Sequence, residues 1–192
     1  MSARPRYQPP PTVSAATLLQ AGSDRAFQKL MFDLFTISAR IEQVRSHLAS
    51  SIGISAPQYS VLRAVSLLQG DTGVSIGVVA EHLHVTSTFI TAQSRILAQL
   101  GVLKRQEQTA DRRVCLLSLS ARGERLVDEV AHAVRPINDM FFGILAKSEF
   151  QALCDTMTKL VDSSRSAVAY VSSREQQSLL SLRDQRMSAA DR

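Results

Sequence analysis

Ser87, Thr88, Thr91, Ala92 and Arg95 gather on one side of a helical wheel drawn through TSTFITAQSRILAQLG. The group is short, hydroxylic and closed by a cation. Ser and Thr hydroxyls donate and accept hydrogen bonds, and a guanidinium is a rigid fork of donors. Further along, Asp111, Arg112 and Arg113 stand immediately before the apolar-rich run VCLLSL. Two guanidiniums at a hairpin tip suit a polyanion. An acid beside them would repel the same polyanion, so its use there is local orientation. A solvated helix face and a charged turn would look alike residue by residue, so the surroundings decide more.

The formal net charge is +5 and the isoelectric point about 9.7. From Arg95 to Arg125, seven basic residues face three acidic ones, a local excess of +4 that holds nearly all of the total. A basic patch so confined points to an anionic partner. Aromatic residues make up 5% of the chain and Trp is absent, which argues against base stacking on aromatic platforms. With 45% hydrophobic and 20% charged residues, the 192-residue chain reads as globular, long enough for one core with arms that pair with a second copy.

The elements that must position these residues follow from periodicity and punctuation. Residues 1–22, with Pro5, Pro9, Pro10, Pro11 and Gly22, predict a flexible arm with a short helix near Ala15 to Gln20. Residues 23–50 predict one long amphipathic helix. Its apolar positions Phe27, Leu30, Met31, Leu34, Phe35, Ile41, Val44 and Leu48 recur at three and four. A helix of that length usually needs a partner outside its own lobe. Residues 51–120 predict a helix opened by the capping box Ser55-Ala56-Pro57-Gln58 and a very short strand near Val74. A helix near Gly77 to His84 follows, then a helix from Thr86 stopped by Gly101, then a hairpin over Val102 to Leu119. On the inner side of the Thr86 helix the wheel places Phe89, Ile90, Gln93, Ile96, Leu97 and Leu100. Residues 121–171 predict two further helices, the first bent at Pro136, and residues 172–192 a polar, frayed tail.

Helix, helix, short turn, helix and two-stranded hairpin is the order of a winged helix-turn-helix. The predicted fold class is therefore mainly α with a small β-wing. In VVAEHLHVTSTFITAQSRILAQLGVLKR, followed by DRR and its spacing to LSARG, the chain resembles the MarR family of bacterial transcription regulators. The matching positions are Ala80, the small polar residues that open the fourth helix, Leu97 with Gly101, Asp111 with Arg113, and Leu119, Ser120 and Gly123. The chain departs from the family pattern at His84, Gln93, Ile96 and Leu100. The resemblance covers about residues 24–171. It implies a homodimer, formed through the N- and C-terminal helices, on double-stranded DNA with half-sites roughly 34 Å apart. It further implies Arg113 in a minor groove, Arg112 at backbone phosphate, and Asp111 holding the wing by pairing with an arginine. The expected role is a repressor released by a small ligand, since similar proteins hold aromatic acids or their thioesters in a cleft. By that resemblance an effector cleft would include Phe35, Arg40, His47, Tyr59 and Arg63. The competing reading is a winged-helix protein-interaction module without its own operator.

Other chemistry finds little footing. His82 and His84 are two residues apart, on different sides of a helix, and no Cys-x-x-Cys or His-Glu-x-x-His spacing occurs, so neither metal nor cofactor is expected. Cys115 and Cys154 read as small hydrophobes rather than a redox switch. No nucleophile elbow, phosphate loop or paired-carboxylate motif appears, so an enzyme is not expected. A Pro-rich start without an apolar segment, and no apolar run of spanning length, predict a cytoplasmic protein.

Overall fold

The computed structural model describes Tyr7, residues 9–107 and residues 114–190, with 175–190 described by backbone alone. The elements are a 3-10 turn at Ala16–Leu18, then α1 (Arg25–Ser51), α2 (Ala56–Leu68), β1 (Val74–Ser75), α3 (Ile76–His82) and α4 (Ser87–Gln99). After these come β2 (Leu103–Glu107), β3 (Cys115–Leu119), α5 (Ala121–Phe142) and α6 (Lys147–Ala190). The chain divides into two compact units, Met1–Val134 and Arg135–Arg192, with the division inside α5 beside Pro136.

In the first unit each helix of the central lobe opens on a hydroxyl. Ser55 and Gln58 complete a reciprocal capping box: the Gln58 amide donates to Ser55 Oγ at 3.4 Å, and the Ser55 amide to Gln58 Oε1 at 2.9 Å. Ser75 Oγ caps α3 by accepting from the Val78 amide at 3.3 Å. Thr86 Oγ1 caps α4 by accepting from the Phe89 amide at 3.2 Å. Between α3 and α4, His84 adopts φ +53, a left-handed conformation that costs a residue with a Cβ about 1–2 kcal/mol. A glycine would fit there without that cost.

The sheet runs β1-β3-β2, all antiparallel, with Leu103 opposite Leu119 and Arg105 opposite Leu117. Alternation turns Leu103, Leu117 and Leu119 inward, into the core that also buries Val61, Leu62 and Val65 of α2, Val79 of α3, and Ile90 and Leu97 of α4. The Leu119 amide donates to Gln69 Oε1 at 2.7 Å, which ties β3 to the end of α2.

α4 ends in a Schellman motif. The Gly101 amide donates to the Ala98 carbonyl at 2.9 Å and the Val102 amide to the Leu97 carbonyl at 2.8 Å, with Gly101 at φ +70. Ser120 then caps α5, its Oγ accepting from the Gly123 amide at 3.0 Å and lying 2.6 Å from the Gly101 carbonyl oxygen. Gly123 sits so close to the chain that a Cβ there would collide with the Val102 carbonyl oxygen. The Leu-Ser-x-x-Gly spacing is thus a cap plus a close approach.

Two expectations are corrected. Residues 9–22 are not simply a free arm. The amide and hydroxyl of Thr12 donate to Asp24 Oδ2 at 2.7 and 2.9 Å, and Gln28 Nε2 adds a third bond at 3.0 Å. Asp24 ends up buried at the start of α1. Its carboxyl is held below the usual range, first by the Thr12 amide and then by the Gln28 and Thr12 side chains. The polar tail expected from residue 172 is helical as far as Ala190, in the second unit. Residues 172–190 contain no Gly or Pro and many good helix formers, so nothing stops the helix where the apolar pattern fades.

Two outcomes follow from these contacts. Gly123→Ala should lower unfolding stability by about 1–3 kcal/mol in urea titrations, the usual cost of overpacking. Because the folded Asp24 value lies below the unfolded one, its contribution is present above that unfolded value and is lost as pH falls through the folded one. Limited proteolysis of residues 9–22 should therefore accelerate on acidification, and Asp24→Asn should show the fast rate already at neutral pH.

Candidate nucleic-acid interface

The fold sorts the wheel residues of α4 as expected on one side and differently on the other. Ser87, Thr88, Ala92 and Arg95 are exposed and Thr91 is half-buried. Among the described residues none of these side chains makes a hydrogen bond or ion pair within the chain. The buried row of the same helix is Ile90, Ser94 and Leu97. Ile96 and Leu100, expected on the inner side, are 39% and 38% exposed. The helix meets its neighbours along the row i, i+4, i+7 from Ile90, which leaves 96 and 100 at the edge of contact. Gln93 is half-buried, so its amide keeps access to solvent and the partner that full burial would demand is unnecessary.

Ser94 carries no sequence signal of its importance. It has no exposed surface, its hydroxyl donates to the Thr91 carbonyl at 3.2 Å, and it accepts a hydrogen bond from Arg105 Nη1. Arg122, another residue the motif left unassigned, donates from Nη1 to the Leu100 carbonyl at 2.8 Å. That places a cation at the negative end of α4. Lys104 and Gln106 project outward from β2, which with β3 forms the two rails of the hairpin. The tip itself, with Asp111, Arg112 and Arg113, lies outside the described residues.

Of the five residues expected around an effector, the structure brings two together. Tyr59 and Arg63 line a cleft of about 510 Å³ with Ser60, Ser66, Leu67 and His82. Phe35, Arg40 and His47 are exposed on α1 and do not line it. His82, weighed from the sequence only as a metal ligand, is the addition; α3 packing beside α2 puts it there. Burial pushes the Tyr59 phenol above its ordinary value, opposed in part by the nearby Arg63 guanidinium. The neutral phenol is therefore a hydrogen-bond donor over the whole ordinary pH range.

Outside this lobe, Arg45 joins α1 to α2: Nη1 donates to Ser60 Oγ at 2.8 Å and Nη2 pairs with Glu42. No group of three metal-ligating side chains occurs among the described residues, and no described helix is long and apolar enough to cross a membrane.

Solved structures share this arrangement. A Staphylococcus aureus MepR–DNA complex superposes with a TM-score of 0.61 at 20% identity over 69% of this chain and 96% of that one. The fold is that of the MarR family of transcription regulators. CouR from Rhodococcus jostii RHA1, bound to p-coumaroyl-CoA, gives 0.61 at 21% identity, covering 68% of this chain and 90% of its own. A mutant MarR from Escherichia coli complexed with operator DNA gives 0.59 at 17%, covering 69% and 93%. No family profile and no curated protein matches the sequence. At such identities the shared property is the MarR-type fold itself, six helices with a three-stranded wing sheet.

The MarR-type lobe makes one spectroscopic prediction. A folded value raised above the unfolded one means Tyr59 supports the fold below pH about 10, and that support is lost as pH rises beyond it. In ultraviolet titration Tyr59 should appear as a late-ionising component, and Tyr59→Phe should remove it. A late component that survives the substitution would contradict the burial argument.

Proposed function

We propose that this chain is a sequence-specific, DNA-binding transcription regulator that acts as a homodimer on an inverted repeat. The observation that carries this reading is the outward face of α4. Among the described residues, Ser87, Thr88, Thr91, Ala92 and Arg95 make no side-chain hydrogen bond or ion pair, and they stand beside a hairpin whose sequence places two arginines at its tip. Short side chains admit a helix deep into a major groove, and hydroxyls and a guanidinium address phosphates and base edges. Arg113 enters the adjacent minor groove, Arg112 meets phosphate, and Asp111 orients the tip. MarR-type neighbours solved on DNA support the reading.

One recognition helix reads too few base pairs for specificity, so a two-fold partner is required. In the first unit, Leu30, Phe32, Phe35, Ile37 and Ile41 of α1 are all more than 40% exposed. In the second unit Met140, Ile144, Phe150 and Leu160 are exposed as well. Apolar surface on this scale marks pairing surfaces. The protein works in the cytoplasm, as a repressor released by a small acidic ligand. The cleft of Tyr59, Arg63 and His82 offers a phenol donor and a cation for the ligand's carboxylate or thioester.

Selection from random duplexes should enrich an inverted repeat with half-site centres about one helical turn apart. No enrichment would leave a protein-interaction module as the better reading. On the selected duplex, a dimer neutralising roughly 6 to 10 phosphates should lose about three to five decades of affinity between about 50 and 200 mM salt. Arg113→Ala and Arg95→Ala should each weaken binding about 5- to 150-fold, the range of one lost base contact, with dimer and helix content intact. Unchanged affinity in both would reject the interface.

A further inference from the structure

We infer that the Arg105–Ser94 contact is a positioning clamp, which holds the reading face of α4 at a set angle to the wing and thereby sets discrimination between DNA sequences. The inference rests on the DNA-binding reading above and deepens it.

Ser94 is, among the described residues, the only polar side chain with no exposed surface. It sits between Ile90 and Leu97 in a row where a small apolar residue would fill the space equally well. A hydroxyl there costs desolvation unless its partners compensate. Both sides of this one are used: it donates to the Thr91 carbonyl and accepts from Arg105 Nη1. Arg105 is half-buried on β2, opposite Leu117 of β3. Its guanidinium thus reaches from the first rail of the wing to the core side of the recognition helix.

The covalent link between these elements is short, from Leu100 to Val102, with the left-handed Gly101 at its centre. The Schellman bonds fix where α4 ends. Apolar contacts hold β2 near it, but they are non-directional and tolerate sliding. A charge-assisted hydrogen bond is directional, and it is placed where it resists rotation of the wing about Gly101. Sequence reading requires the helix in one groove and the wing in the next at the same time. A small error in their angle spoils base contacts, while attraction to phosphates survives it. Ser94 is buried and faces away from the outward residues, so its link to the wing runs through Arg105.

The test compares wild type with Ser94→Ala, Arg105→Lys and Arg105→Met on the selected duplex and on a random duplex, across a salt series. Ser94→Ala should lose about tenfold on the selected duplex, the scale of one mismatched base pair, with random-duplex affinity and salt slope unchanged. Arg105→Lys keeps a charged donor and should retain more discrimination than Arg105→Met. Undiminished discrimination in Ser94→Ala overturns the clamp. So does an equal loss on both duplexes in Arg105→Met with a salt slope shallower by about one, which marks a phosphate contact instead. If Ser94→Ala fails to fold, the Lys and Met pair reads the same ratio. If wild type prefers no duplex, the regulator reading fails by itself, and the clamp is decided by hydrogen exchange without DNA. Faster exchange at residues 97–105 in Ser94→Ala and Arg105→Met, with α2 amides unchanged, upholds it; identical exchange overturns it.

Discussion

The peptide at Val102 is the constraint on which the outward-facing parts depend. Its amide closes α4 on the Leu97 carbonyl, and its carbonyl accepts from the Ser120 amide at 3.1 Å. Gly123 lets the first turn of α5 come down on that same carbonyl. Val102 is itself 1% exposed, so none of these groups has water as an alternative partner. The end of the fourth helix, the start of the wing and the start of the fifth helix are consequently held at one point. Arg122 reinforces it by returning to the Leu100 carbonyl. A buried amide and carbonyl that would each cost a hydrogen bond to leave unpaired make a stiffer joint than apolar contact alone.

Around that joint, polar groups divide by direction. Those that turn inward find partners in the chain: Ser94 with Arg105, Gln69 with the Leu119 amide, Ser120 with two carbonyls. Among the described residues, the exposed face of α4 spends none of its hydroxyls in this way. Arg45 is the exception that marks a junction, with two nitrogens engaged and its Nε buried without a partner between α1 and α2. The apolar surface is divided too. The central lobe buries Val61, Leu62, Val65, Val79, Ile90, Leu97 and Leu117 almost completely, while α1 keeps Phe32 and Phe35 69% and 63% exposed. One chain does not consume the apolar surface it makes, which is the physical reason a second copy enters the functional reading.

Much of the lobe was legible because its signals are local. The Ser55–Gln58 box, the hydroxyl before α4 and the Gly101 stop act within a few residues, and each sits where the sequence places it. The inner face of α4 was legible only in part. A helical wheel gives the phase of a stripe but not the neighbour that covers it, so it separates neither Ile96 and Leu100 from the buried row nor Ser94 from the polar one. The effector cleft was less legible still. Tyr59 and Arg63 share a helix face and stay together, whereas Phe35, Arg40 and His47 depend on how a distant part of α1 lies, which no local rule specifies. The end of α6 is hidden from the sequence for a related reason: loss of apolar periodicity ends burial, not hydrogen bonding.

The amino-acid sequence by itself determined the order of helices and strands, the caps and stops of the central lobe, the basic stretch, and the outward residues of α4, because these follow from backbone propensity and charge along a contiguous segment. Tertiary structure alone decided that a buried serine meets an arginine from the wing, that Gly123 answers to the Val102 carbonyl, and that His82 joins Tyr59 and Arg63. Each of those depends on two segments far apart in the chain arriving within a hydrogen bond or a van der Waals radius of one another. That meeting is set by the packing of the whole core, so no single segment encodes it.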